Sequence, residues 1–177
     1  MLGLLTAPTL FAGDYTTSQY TTSSYTISYV YDGDTVKVRP LQNDPDNILE
    51  NKQEFKLRIT DIDAPERNQP YGKKSRRALS QLCKGSEVEI EIQLTGIDKY
   101  QRQLGKLQCN HTDASLYLVQ QGLAWHNTKY SNDAGLKAAA QKSKANRIGL
   151  WSDQNPLPPW VWRQLHSQPK SPPASIN

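Results

Sequence analysis

Five short runs of alternating apolar and polar residues predict a mainly β, α+β fold, with one helix between the third and fourth runs and two after the fifth. That succession is the order of a five-stranded OB-fold barrel with three helices. A chain of 177 residues accommodates one such domain with flanking segments. The expected organisation is an N-terminal segment over 1–24, a core domain over 25–152, and a Pro- and Trp-rich arm with a disordered tail over 153–177.

Met1 to Gly13 is mostly apolar or small, around Leu4, Leu5, Leu10 and Phe11. It reads as the remnant of a secretory signal cut near Ala12 or Gly13, which places the protein outside the cytoplasm, secreted or periplasmic. It is too short to span a bilayer, and no later apolar run is long enough. A Thr-, Ser- and Tyr-rich linker follows. Thr26 to Tyr31 alternates as a first strand, Asp32-Gly33-Asp34 turns the chain, and Thr35 to Arg39 alternates as a second. Asp44-Pro45-Asp46-Asn47 opens a loop reaching about Lys52. Phe55, Leu57 and Ile59 mark a third strand over Glu54 to Asp61.

After Pro65, Ala78, Leu79 and Leu82 give helical spacing to Tyr71–Leu82. Val88 to Leu94 and Gln103 to Cys109 are the fourth and fifth strands, joined through a turn at Gly96–Arg102. Asp113 is placed to cap a helix from Ala114 to Gln121, with Gly122 just past its end. The last helix runs from Asp133 to Asn146. Beyond Ser152, prolines surround Leu157 and Trp160, and the segment reads as an extended arm packed back on the domain.

The net charge of +4 favours an anionic partner such as nucleic acid. Cys83 and Cys109 form no C-x-x-C pair and the histidines are scattered, so no zinc-ligand spacing appears. The two cysteines are either buried thiols or, in an oxidising compartment, a disulfide. Arg67, Lys73, Lys74, Arg76 and Arg77 form a basic cluster, either a solvated helix face or a track for phosphates.

Asp34 starts the second strand and Asp63 lies just beyond the third, points that a small barrel brings together. Neighbouring carboxylates repel unless a cation neutralises them, and oxygen donors without Cys or His suit Ca²⁺ or Mg²⁺. Glu66, aimed by Pro65, is a candidate general base on water. Arg58 alternates against Leu57 and Ile59 and so faces away from the core, while Arg102 sits in the turn with Lys99 and Tyr100. Guanidinium groups match phosphate oxygens and stabilise charge growing on a phosphoryl group.

The ordered set D-G-D-T at Asp32–Thr35, R-x-x-x-x-D-x-P-E at Arg58–Glu66 and D-K-Y-x-R at Asp98–Arg102 resembles the staphylococcal nuclease (thermonuclease) family. The likeness continues in L-V-Q-Q-G-L-A at Leu118–Ala124 and G-L-W-S at Gly149–Ser152. It implies Ca²⁺-dependent, endonucleolytic hydrolysis of DNA and RNA to 3′-phosphate ends. Carried over by position, Asp34 and Asp63 would be metal ligands, with the Ala64 carbonyl a third and Asp32 behind them. Glu66 would activate water, and Arg58 and Arg102 would clamp the phosphate. Lys99, Tyr100 and Tyr130 would contact substrate. Ala64 replaces the family's Thr but keeps the carbonyl. The loop before Arg58 is longer than in the familiar enzyme and the one after Glu66 shorter, and Thr128 replaces a stacking Tyr. The expected partners are DNA and RNA as substrates of a monomer. The rival readings are a non-catalytic OB-fold nucleic-acid-binding module and a protein scaffold using the Trp-rich arm.

Overall fold

The computed structural model describes residues 25–41 and 53–167. The N-terminal segment before Tyr25, the loop around Asp44 to Asn51 and the tail Gln168 to Asn177 lie outside the described residues. Five main strands make the sheet: β1 (Tyr25–Val30), β2 (Thr35–Pro40), β3 (Phe55–Ile59), β5 (Ile90–Ile97) and β6 (Gln103–Cys109). Three two-residue strands join them: β4 (Ile62–Asp63), β7 (Thr112–Asp113) and β8 (Trp125–His126). The helices are α1 (Gly72–Cys83), α2 (Ala114–Gln120), α3 (Ala134–Ala145) and α4 (Pro159–His166), with a 3-10 turn at Gly149–Ser152.

The ladder order is β1-β2-β3-β6-β5, with β7 on β6 and β4 paired to β8 separately. All pairings are antiparallel except β3–β6, which is parallel and matches Leu57 to Gln103 and Arg58 to Leu104. β1 and β5 approach each other without a ladder between them among the described residues, so the expected barrel is an open one. The parallel pairing matters most for function. It sets Gln103, and the turn before it that holds Arg102, beside β3 one residue from Arg58.

Alternation along the strands divides core from rim. Val36, Val38, Leu57, Ile59, Ile90, Ile92 and Leu107 meet Leu79, Leu118 and Val119 from the helices, all essentially inaccessible. Each such side chain contributes about 1.5–3 kcal/mol through removal from water. Asp113 caps α2, its side chain accepting from Leu116 N at 2.8 Å, and Asp133 caps α3 by the same bond to Leu136 N. Cys83, the last residue of α1, and Cys109, the last of β6, are joined in a disulfide.

The structure differs from the sequence expectation in three respects. The fourth strand begins at Ile90 rather than Val88 and continues to Ile97. Its entry is held by Glu89, whose N–H donates to Asn110 Oδ1 while its carbonyl accepts from Asn110 N, and a bulge between Leu94 and Gly96 carries it onward. The three short strands were too brief to leave a period. The arm after Ser152 is not extended but ends in α4, a fourth helix. Pro159 occupies the first helical position, where a missing N–H costs nothing, so a Pro-rich run is compatible with a helix start. Trp160 packs edge-on to Trp125 at 5.6 Å, and Trp125 packs on Trp151 at 4.4 Å, which docks α4 on the domain.

Candidate active site

The turn from β1 to β2 brings Asp32 and Asp34 to the end of the sheet. Asp32 Oδ1 accepts from Asp34 N at 3.0 Å. Gly33 is packed so tightly that a Cβ there would lie 1.8 Å from Ser75 Oγ and 2.7 Å from Ala64 Cβ. A side chain at that position would push the turn away from α1 and from Ala64, so the glycine sets where Asp34 sits. Asp34 is buried, and its Oδ2 accepts from Ala64 N at 2.6 Å. Its Oδ1 accepts from the Thr35 hydroxyl at 3.1 Å.

Asp63 lies in β4, which pairs with β8 through Ile62↔His126 and Asp63↔Trp125. This small ladder fixes the buried Asp63 next to Asp34. Arg58 joins them: its Nη2 is 3.1 Å from Asp34 Oδ2 and 3.4 Å from Asp63 Oδ1, and it donates to Ile62 O at 3.1 Å. Its Nη1 donates to Ile59 O. Burial, only partly offset by Arg58, raises the Asp34 carboxyl to about 7, with Asp32 and Asp63 adding to the rise.

Glu66 follows Pro65 and is half-buried. Its backbone N–H donates to Gln69 Oε1 at 3.0 Å, closing a turn that leads into α1. Its carboxylate meets Arg163, a residue the sequence reading missed. Arg163 Nη1 is 2.7 Å from Glu66 Oε1, and Nη2 is 2.7 Å from Asp63 Oδ2. The two carboxylates raise the Arg163 guanidinium further above its ordinary value, the Asp63 hydrogen bond first. Around Asp63 the sequence balances acids and cations, Asp61, Asp63 and Glu66 against Lys56, Arg58 and Arg67, so nothing local pointed to a helix a hundred residues on.

Arg102 reaches the site from the β5–β6 turn. Asp98 holds it, accepting from Arg102 N at 3.0 Å and from Nε at 2.8 Å. Burial alone would raise the Asp98 carboxyl, but bonds from Arg102 and from Tyr100 N outweigh it and hold it below the usual range. A cleft of about 420 Å³ is lined by Arg58, Asp98, Lys99, Tyr100, Arg102 and Tyr130. The structure therefore brings together Asp32, Asp34, Asp63, Ala64, Glu66 and Arg58, with Arg102, Lys99, Tyr100 and Tyr130 around the adjoining cleft. Tyr100 and Tyr130 are among the most exposed large side chains described, available for stacking. His126 is positioned by the β4–β8 ladder, and its Nε2 is buried without a partner among the described residues.

The basic cluster divides. Arg76 turns inward, donating to Val30 O at 2.8 Å with its guanidinium over the Tyr29 ring, whereas Arg67, Lys73 and Lys74 are exposed. Away from the site, the fold also gathers His111 with Glu91 and Glu89, at 2.9 and 3.3 Å. Sequence distance hid that grouping.

The donors fit a hard divalent cation. They are oxygens, two of them on the buried carboxylates of Asp34 and Asp63. Buried acidic oxygens bracketed by guanidinium groups stand at one end of an OB-type sheet, a set of donors chemically suited to a cation and a phosphate. Residues 56–153 match the family described as staphylococcal nuclease homologue, and the chain belongs to that nuclease family. It is similar to an uncharacterized endonuclease of Haemophilus influenzae, 34% identical over 76% of this chain and 70% of the relative. A micrococcal nuclease of Shigella flexneri is 34% identical over 72% of this chain and 78% of the relative. A staphylococcal-like nuclease of Arabidopsis thaliana is 32% identical over 63% of this chain and 34% of the relative.

Proposed function

We propose that the protein is a Ca²⁺-dependent endonuclease that hydrolyses phosphodiester bonds of DNA and RNA and leaves 3′-phosphate ends. The observation that carries this reading is the meeting of Asp34, Asp63 and Arg58 within 3.1–3.4 Å, beside Glu66 and facing the Arg102 cleft. In this reading Asp34, Asp63 and the Ala64 carbonyl hold the metal and Asp32 braces Asp34. Calcium, when bound, neutralises phosphate charge and orients water.

The remaining roles belong to the chain. Arg58 and Arg102 hold the phosphate from two sides and stabilise the charge that grows as phosphorus becomes five-coordinate. Glu66 takes the proton of the attacking water. A new P–O bond forms, the P–O5′ bond breaks, and the leaving oxygen is protonated from solvent, giving a 3′-phosphate and a 5′-hydroxyl. Lys99, Tyr100 and Tyr130 position the adjoining nucleotide. The relatives' nuclease names and the oxygen-only donor set support the reading.

Product analysis tests it. Oligonucleotide fragments that accept a 5′-phosphate from polynucleotide kinase without prior phosphatase treatment are expected. Fragments ending in 3′-hydroxyl would contradict the assignment. We further infer a monomer with a 25–152 catalytic core, exported through its N-terminal segment. Light scattering and the N-terminal sequence of protein recovered outside the cytoplasm check these points, and a dimer or protein retained inside would count against them.

A further inference from the structure

A second groove, of about 1030 Å³, opens beyond Glu66 between the loop that follows it and α4. Arg67, Lys73 and Lys74 line it with Tyr71 and Trp162, and no acidic side chain does. None of the three cations is ion-paired among the described residues, although Lys74 lies over the Tyr71 ring at 4.7 Å. The groove is built rather than incidental. Gln69 at its floor is buried, and its amide donates to Leu157 O at 2.6 Å while its carbonyl oxygen accepts from Glu66 N at 3.0 Å. Gly72 is pressed on the same turn, so that a Cβ would lie 1.8 Å from Glu66 O. Trp162 is stacked on His166 at 3.9 Å and 18°, a ring already fixed in place.

The groove shares no lining residue with the Tyr100 cleft, but a chain of ion pairs runs from one to the other. Arg163, next to Trp162, bonds Glu66 and Asp63, and Asp63 meets Arg58, which lines the cleft of Tyr100 and Tyr130. Carboxylates and guanidiniums thus lie between two concave surfaces, each carrying cations and aromatic rings. Unpaired cations bind phosphates and aromatic faces stack bases, the combination that holds a single nucleic-acid strand.

We propose that this groove is a second strand-binding subsite, holding nucleotides on the side of the scissile phosphate away from Tyr100 and Tyr130. Lys73, Lys74 and Arg67 take the backbone phosphates, and Trp162 and Tyr71 take the bases. The proposal rests on the nuclease reading above and extends it to substrate length: a strand that fills both surfaces binds more tightly than one that fills only the Tyr100 cleft.

The test compares labelled oligodeoxythymidines two and twelve nucleotides long. Binding is read by fluorescence anisotropy in the Glu66→Gln protein, with and without Lys73→Gln/Lys74→Gln. Both lysines are exposed, so the fold should persist. For the twelve-mer the double substitution is expected to weaken binding tenfold or more at low salt. It should also reduce the slope of log affinity against log salt by about 1.4, two contacts at ~0.7 each for single strands. The dinucleotide, too short to reach the groove, is the reference and should change less than twofold. A twelve-mer effect below twofold, or equal effects at both lengths, would overturn the subsite. Failure of the wild-type protein to cleave any oligonucleotide would overturn the nuclease reading instead, and the binding comparison would still be readable.

Discussion

The Arg163 guanidinium sits against the Asp63 carboxylate across 100 positions of chain, Nη2 to Oδ2 2.7 Å. The same group also neutralises Glu66, so α4 is tied to the two acids on which the candidate chemistry depends. A cation entering between these oxygens competes with Arg163 for them. Arg163→Gln should therefore tighten Ca²⁺ binding by about fivefold, close to 1 kcal/mol, in calorimetric titration. Unchanged or weaker binding would mean that Arg163 organises the site rather than competes for it.

Asp34 makes a sharper prediction about charge. Its carboxyl is raised to about 7 by burial, so above that pH the metal-free protein carries a poorly solvated anion. Between the ordinary carboxylate value and about 7 the folded state binds the extra proton, and stability from this group falls as pH rises. Asp34→Asn removes the penalty and keeps the shape: its oxygen can accept from Ala64 N and its amide can donate to the Thr35 hydroxyl. At pH 8 the metal-free variant should melt no lower than wild type, and added Ca²⁺ should no longer raise its melting temperature. A lower metal-free melting temperature would contradict this account.

Glu66→Gln and Arg102→Ala should each cut turnover by ~10²–10³-fold, about 2.7–4 kcal/mol, the range seen when one charge-stabilising donor is removed. Both side chains lie outside the apolar core, so circular dichroism should be unchanged. Near-normal turnover by either variant would remove that residue from the mechanism.

The disulfide between Cys83 and Cys109 closes a span of 26 residues between α1 and β6. Replacing both with Ala should cost about 3 kcal/mol in chemical denaturation, mainly through the entropy of the unfolded chain. A loss below 1 kcal/mol would show that the core alone holds α1 in place.

Asp133 supplies a milder, pH-dependent contribution. Its bond from Leu136 N is the main cause that holds its carboxyl below the ordinary value. A depressed folded value means stability that is present above the unfolded value near ~3.9 and lost as pH falls through the folded one. Asp133→Ala should cost about 1 kcal/mol at pH 7 and approach wild type near pH 2. A pH-independent difference in thermal unfolding would assign the effect to helix propensity instead.

Much of this architecture was readable because it is local. Period-two alternation located the strands of the main sheet, Asp113 and Asp133 announced their helices, and D-G-D and D-A-P-E placed acids at strand ends. What stayed hidden depends on contacts distant in sequence. The β4–β8 ladder is two residues long, too short for any period, yet it fixes Asp63. Pro159 lies in a Pro-rich run read as an extended arm, yet at the first helical position proline costs no hydrogen bond and a helix starts there. Arg163 stood in a segment read as a packed arm, so no rule connected it to Asp63. The basic cluster was visible, but not that Arg76 would turn inward while Lys73 and Lys74 stayed exposed.

The central claim is that the carboxylates around Asp34 and Asp63 support calcium-dependent strand cleavage. Its most direct measurement is the initial rate of single-stranded DNA and RNA cleavage as free Ca²⁺ is titrated from excess chelator upward, with wild type and Glu66→Gln side by side. The account predicts saturable Ca²⁺ activation of wild type, none in chelator, and a rate reduced at least a hundredfold in the variant, about 2.7 kcal/mol. Cleavage that persists in chelator, or a variant as fast as wild type, would contradict it.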